Sequence, residues 1–169
     1  MKKVNIREHL HSLVILCFSF LLSLMVFLPG GKQVYQIGEE SIVNTITGLK
    51  YTFGGETQFN IGKVNLKFNP FAFFGFFLPL FVSTIYFVLD IFFGKKANLM
   101  ILVVVFTYVL SFLFLIFSAK VMVAQNGLGD EVVPMSQSYR LGIGSLFGIG
   151  LNFIGVVSSL AITYIRLVK

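Results

Sequence analysis

Four long apolar runs constrain the fold of this 169-residue chain more than any other feature. They lie at about residues 10–28, 71–93, 99–118 and 139–165. Each approaches the roughly 20 residues that an α-helix needs to cross a hydrocarbon layer about 30 Å thick. A soluble domain is about one-quarter charged, whereas this chain is 12% charged and 56% hydrophobic. The sequence therefore predicts an all-α membrane protein, a four-helix transmembrane bundle in one domain.

Local signals indicate where some of these helices begin and end. Asn69-Pro70 is typical of a helix start, because asparagine can cap free N–H groups and proline is tolerated at the first helical position. Pro79 removes one backbone hydrogen bond from the same helix and predicts a kink. Gly94, followed by two lysines, is typical of a helix end. The first run ends near Pro29 without a small-residue cleavage pattern, so we expect an uncleaved helix.

The distribution of charge predicts an orientation. Four crossings place both termini on one side, and the short segments of that side hold seven of the thirteen basic residues. The longer opposite loops hold the other six, together with five of the seven acidic residues. Positive residues concentrate in short cytoplasmic segments, which predicts a multi-pass plasma-membrane protein with cytoplasmic termini. Because the basic residues flank apolar runs, we expect the lipid bilayer and not nucleic acid as their partner.

Residues 30–69, between the first two helices, show the alternation typical of β-strands. Val64, Leu66 and Phe68 alternate with polar residues, and the odd-numbered residues from Val43 to Phe53 would share one face of a second strand. The segment GGETQFNIG suits a hairpin connection between them, and the residues around Val34 could form another strand. We predict a small antiparallel β-sheet in the first extracytoplasmic loop. It is either a recognition surface or a cover for the bundle.

This layout resembles the claudin and peripheral-myelin-protein group, which has four spans, internal termini and a small sheet in a larger first outer loop. Those proteins carry Gly-Leu-Trp followed by two cysteines in that loop. Here Gly48-Leu49 is followed by Lys50, and the chain has no tryptophan and one cysteine. The resemblance therefore implies topology only. The chain also resembles small uncharacterised four-span membrane proteins of low-GC bacteria, through GLKYTFGG and RLGIG, a resemblance that implies no known activity.

Small residues recur along one face of the fourth run. Gly144, Gly148, Asn152, Gly155 and Ser159 follow one another at steps of four, four, three and four residues, so they share one helix face. Small residues permit the close backbone contact that holds helices together in lipid. We predict that these five residues, the seam, pack within the bundle; self-association into a homo-oligomer is the alternative.

Asn152 is the polar member of the seam near the middle of its helix. An unbonded amide in hydrocarbon is costly, so we expect a structural hydrogen bond across the seam rather than a permeation site. The candidate partners are Tyr108 and Thr107 on the third helix and Ser83 and Thr84 on the second.

Asp90 is the only acidic residue embedded in a predicted span, the kind of position that often marks function. It falls in the last turn of the second helix, close to Lys95 and Lys96. We therefore expect an interfacial charge that reaches headgroup water, with a functional charge as the alternative. Because His9 and His11 are taken to precede the first span and no partner carboxylate lies in another one, a proton relay is not predicted.

No recognised catalytic or metal-binding motif appears in the sequence. His9 and His11 would not face the same way on a helix and make a poor metal site, and Cys17 is expected to be a packed small residue. We predict no enzyme, cofactor or metal, but a scaffold, interaction or accessory subunit. The alternative is a small channel or transporter component that uses the glycine-lined face. A lipid-modifying enzyme would require clustered polar residues at one membrane interface.

Overall fold

The computed structural model describes residues 9–37, 40–59, 62–97, 99–125 and 139–168, and the chain is mostly helical there. Its helices are α1 (Leu10–Leu24), α2 (Gly48–Phe53), α3 (Pro70–Phe93), α4 (Met100–Ser118) and α5 (Ile143–Val168). All except α2 belong to segments that are long and apolar enough to cross a membrane. The predicted set of four long apolar helices is thereby confirmed.

The predicted start and end of the second long helix are confirmed. Asn69 caps α3, since the Ala72 N–H donates to Asn69 Oδ1 at 3.1 Å, and Gly94 ends the same helix with a left-handed φ of 55°. The first helix is shorter than predicted, because α1 ends at Leu24 and continues as a 3₁₀ turn, Met25–Phe27. The fourth run also differs, since residues 139–141 form a strand and α5 begins only at Ile143.

The described residues form six strands in two three-stranded antiparallel sheets, where the sequence predicted one sheet. They are β1 (Pro29–Ile37), β2 (Glu40–Thr47), β3 (Gly55–Phe59), β4 (Gly62–Leu66), β5 (Ala124–Gln125) and β6 (Tyr139–Leu141). The strand orders are β2-β1-β6 and β3-β4-β5. The short strands β5 and β6 follow α4 in the sequence. They pair with β4 and β1 respectively, and so satisfy backbone N–H and C=O groups on one edge of each strand. We call the two sheets and α2 the cap.

The predicted strand over residues 43–53 is wrong beyond Thr47, where α2 begins. A β-carbon on Gly48 would overlap the carbonyl groups of Val26 and Leu28, so the chain turns into a helix at its closest approach to the end of α1. The helix buries Tyr51 and Thr52. The proposed hairpin segment is also wrong in part, since its GETQF residues form β3, which pairs with β4.

The bundle places many polar side chains inside and large apolar side chains outside. Ser12, Ser19, Ser83, Ser111 and Asn152 are buried, whereas many phenylalanines, leucines and valines of the long helices are exposed. This is the reverse of a soluble protein and the arrangement expected of helices surrounded by lipid. Cys17 does not pack inside as expected; it is exposed in an apolar groove between α1 and α3.

Candidate functional site

The five seam residues on α5 are all buried against neighbouring elements. A β-carbon at Gly148 would lie 2.8 Å from Leu115 Cδ1 and 3.1 Å from Phe76 Cε1, and one at Gly155 would overlap the Tyr108 ring. At Gly144 it would lie 2.7 Å from a backbone oxygen just beyond α1. The absence of side chains therefore lets α5 pack directly against the other helices, and the space along the seam is filled by protein atoms.

Asn152 does not make the expected hydrogen bond across the seam. Its Nδ2 donates to the Gly148 carbonyl oxygen at 3.1 Å, one turn back on the same helix. Its Oδ1 is buried and has no hydrogen-bond partner among the described residues, and neither has Ser159 Oγ. Two of the candidate partners, Tyr108 and Ser83, instead bond to Ser19 on α1.

Tyr108 belongs to a buried group of hydroxyls, Ser19, Ser83 and Tyr108, which we call the middle cluster. Ser19 Oγ lies 2.7 Å from Ser83 Oγ and 2.6 Å from Tyr108 OH. The Tyr108 hydroxyl also lies 3.2 Å from the Ile15 carbonyl oxygen. These contacts join α1, α3 and α4 through hydrogen bonds among buried hydroxyl groups, and a buried hydroxyl without a partner is costly.

Asp90 belongs to a second group, His9, Ser12 and Asp90, which we call the inner cluster. Asp90 is 0% exposed, so the expectation that it reaches headgroup water is wrong. Its Oδ2 accepts from Ser12 Oγ at 2.7 Å and lies 3.0 Å from His9 Nδ1. The carboxylate is thus enclosed by α1 and by the residue before it, which a count of charges within each span could not reveal.

The geometry of the inner cluster limits its chemistry. Ser12 and His9 both approach the same carboxylate oxygen, and the Ser12 hydroxyl also lies 2.9 Å from the His9 carbonyl oxygen. The histidine ring therefore does not activate the serine as a base would in a nucleophilic triad. Among the described residues, no three His, Cys, Asp or Glu side chains group as metal ligands. His9 is partly exposed, so its ring connects the buried Asp90 side chain to the surface.

A third group, Tyr51, Asn69 and Ser118, fixes the cap to the bundle; we call it the outer cluster. Tyr51 OH lies 2.8 Å from Ser118 Oγ, and Asn69 Nδ2 donates to the Ser118 carbonyl oxygen at 2.9 Å. Burial raises the pKa of Tyr51 although the Ser118 hydrogen bond opposes the shift. The phenol therefore stays neutral over the physiological range and can keep donating a hydrogen bond.

Sequence reasoning missed most of these polar groups, although one signal for them was present. Ser12 and Ser19 are seven residues apart on α1, and Ser83 and Asp90 are seven apart on α3. Residues at that spacing share one helix face. The two pairs therefore predict that polar side chains of α1 and α3 face each other at two heights in the bundle. Comparisons with protein families, with curated proteins and with solved structures found no significant match.

Proposed function

We propose that this protein is a non-catalytic scaffold or accessory subunit of the plasma membrane that acts by contact with a protein partner and with lipid. In this proposal the four long helices cross the bilayer, the cap lies outside and both termini lie in the cytoplasm. The single observation that carries the proposal is the filled seam, where neighbouring side chains occupy the space beside the α5 glycines.

The interior of the bundle supports an anchoring role better than a conduction role. A pore requires a water-filled path lined by polar atoms. Along the seam, Gly148 lies against Leu115 and Phe76, and Gly155 lies against the Tyr108 ring. In the middle cluster the hydroxyl groups bond to one another and to the backbone. These contacts rigidly connect all four long helices and make the bundle a firm support for the cap.

Among the described residues, the cap offers an edge strand that supports partner binding. In the order β2-β1-β6, β2 lies at the edge and pairs with β1. Ser41, Val43, Thr45 and Thr47 on β2 are exposed. An edge strand offers unpaired N–H and C=O groups to which an extended segment of another chain can add as a further strand. We therefore assign the partner-binding role to β2.

A pull-down from native membranes in mild detergent tests this role. We expect a partner to be retained by the wild type and lost from Val43→Asp, because a charge on β2 opposes strand addition. Gln58→Asp is the matched control, since it places the same charge on the exposed edge strand β3 of the other sheet. Equal retention by both variants, or no partner for the wild type, would contradict the proposal.

The alternative function is a small channel or transporter component, which the burial of Asp90 specifically favours, since charged groups inside a span often mark ion pathways. Ion flux into proteoliposomes separates the two functions. A scaffold gives no flux above protein-free vesicles for either the wild type or Asp90→Asn. Flux that is present in the wild type and lost in Asp90→Asn would establish the alternative.

A further inference from the structure

Seven phenylalanine rings form one connected cluster where the cap meets the ends of α3 and α4. Neighbouring ring centroids are 5.3 to 6.0 Å apart. About half of the surface of Phe53 (49%), Phe68 (51%) and Phe74 (44%) is exposed. The cluster, which we call the phenylalanine patch, consists of Phe53, Phe68, Phe71, Phe73, Phe74, Phe77 and Phe114. An exposed apolar patch of this kind marks an interaction surface.

The phenylalanine patch begins at the end of the apolar helices and extends along them. Phe68 lies two residues before α3, whereas Phe77 lies two turns inside it, about 10 Å further along the axis. The helix α2 lies beside this stretch, since the Phe53 ring packs against Phe73 and Phe77. It buries Tyr51 and exposes Leu49 and Phe53. This two-sided pattern is typical of a helix that lies in a membrane interface.

Three exposed lysines lie on the chain segments that adjoin the phenylalanine patch. Lys50 lies on α2, one turn before Phe53, and Lys67 immediately precedes Phe68. Lys120 lies two residues beyond α4, with Nζ 5.4 Å from the centre of the Phe117 ring. The Lys67 N–H donates to the Val123 carbonyl oxygen at 3.0 Å, which draws the two segments together. The lysines thus lie at the level where the apolar helices end.

These lysines are not neutralised by the described acidic side chain of the cap. Glu56 pairs instead with Lys63, at 3.0 Å, on the hairpin of β3 and β4. The phenylalanine patch therefore combines an apolar surface at the depth of acyl chains with three positive charges at the depth of headgroups. A soluble acidic protein would match the charges but would not cover the rings that lie along α3.

We propose that Lys50, Lys67 and Lys120 bind the phosphate groups of anionic phospholipids in the outer leaflet, whose acyl chains lie along the phenylalanine patch. This inference rests on the membrane placement in the proposed function, and it names the lipid class of that contact. A lysine near an anionic membrane surface increases affinity about fivefold. Removal of all three charges is expected to weaken binding of anionic lipid more than tenfold.

Thermal unfolding of the full-length protein in neutral detergent tests the inference. Phosphatidylglycerol should raise the wild-type melting temperature more than phosphatidylcholine does. The patch triple variant, Lys50→Gln with Lys67→Gln and Lys120→Gln, should lose most of that difference. The control triple variant, Lys32→Gln with Lys63→Gln and Arg140→Gln, removes the same charge from the sheets and should keep it. Both triple variants are first compared without lipid.

A tryptophan reporter keeps the test valid if the patch triple variant folds poorly. Because the chain has no tryptophan, Phe68→Trp introduces a single fluorophore into the phenylalanine patch. Brominated phosphatidylglycerol should quench its fluorescence more strongly than brominated phosphatidylcholine. Equal quenching by the two lipids would overturn the anionic preference and leave the scaffold proposal intact. No quenching by either lipid would contradict the membrane placement itself.

Two further outcomes would also overturn the lipid assignment. An equal loss of the phosphatidylglycerol effect in both triple variants would indicate diffuse attraction to a basic cap. A co-purifying protein that is lost only from the patch triple variant, with an unchanged lipid effect, would assign the surface to a protein partner.

Discussion

The seam on α5 and the middle cluster of α1, α3 and α4 hold helices together in opposite ways. Along the seam, side chains are absent, and Gly148 and Gly155 let a neighbouring leucine or tyrosine approach the helix backbone. In the middle cluster, side chains are present and Ser19 bonds to Ser83 and Tyr108. The same bundle thus joins its helices in two ways, by close backbone contact and by hydrogen bonds, and neither requires the burial of apolar side chains.

The largest effect is expected from Gly148→Leu in the seam. A β-carbon there already falls 2.8 Å from Leu115 Cδ1 and 3.1 Å from Phe76 Cε1, so a leucine must displace these side chains or the helices that carry them. Overpacking of this kind lowers the free energy of unfolding by about 3 kcal/mol or prevents folding. Thermal unfolding in mild detergent measures the loss. Val157→Leu is the control, since Val157 is exposed on the same helix. Equal melting temperatures for the two variants would show that α5 does not pack against its neighbours through the seam.

A smaller contrast is expected between two buried asparagines. Asn69→Ala removes the side-chain acceptor at the start of α3 and the 2.9 Å bond to the Ser118 carbonyl oxygen, which keeps only the longer bond from the Val121 N–H at 3.4 Å. We expect a cost of about 2 kcal/mol. Asn152→Ala removes a bond within one helix and an oxygen that has no described partner. We expect a change below about 0.5 kcal/mol in the unfolding free energy. A large loss at Asn152 would reveal a partner for its amide.

The smallest of the three contrasts is expected between Tyr108→Phe and an exposed control; Tyr108→Phe removes one hydroxyl from the middle cluster and keeps the ring against Gly155. Hydrogen bonds between membrane helices contribute about 0.6 kcal/mol on average, so we expect a loss of about 1 kcal/mol for these contacts. Tyr164→Phe is the control, because Tyr164 is exposed on α5. If both variants unfold at the wild-type temperature, the middle cluster does not hold the helices together.

The helices could be predicted from the sequence because local chemistry determines them. Apolar runs of membrane-crossing length, the Asn69-Pro70 start and the Gly94 end all lie within a few residues of the helix that they define. The regular spacing of the seam likewise placed its members on one face. In these cases the pattern depends on neighbouring residues in the chain and needs no knowledge of distant partners.

The cap and the inner cluster depend on distant contacts and could not be predicted in the same way. The alternation through residues 48–53 resembles a strand, but the close approach of Gly48 to the end of α1 favours a helix. His9 and Asp90 are 81 residues apart, and only the packing of α1 on α3 joins them. Asn152 bonds within its own helix, and the hydroxyl groups that the sequence offered as its partners bond elsewhere.

The central claim, a four-span anchor with its cap outside, is tested most directly by cysteine labelling of intact cells. In a Cys17→Ser background, Glu56→Cys places one cysteine on the exposed cap strand β3, and Lys3→Cys places one near the amino end. A membrane-impermeant maleimide should label the Glu56→Cys protein in intact cells and the Lys3→Cys protein only after permeabilisation. Labelling of the amino end in intact cells, with a protected cap, would contradict the account.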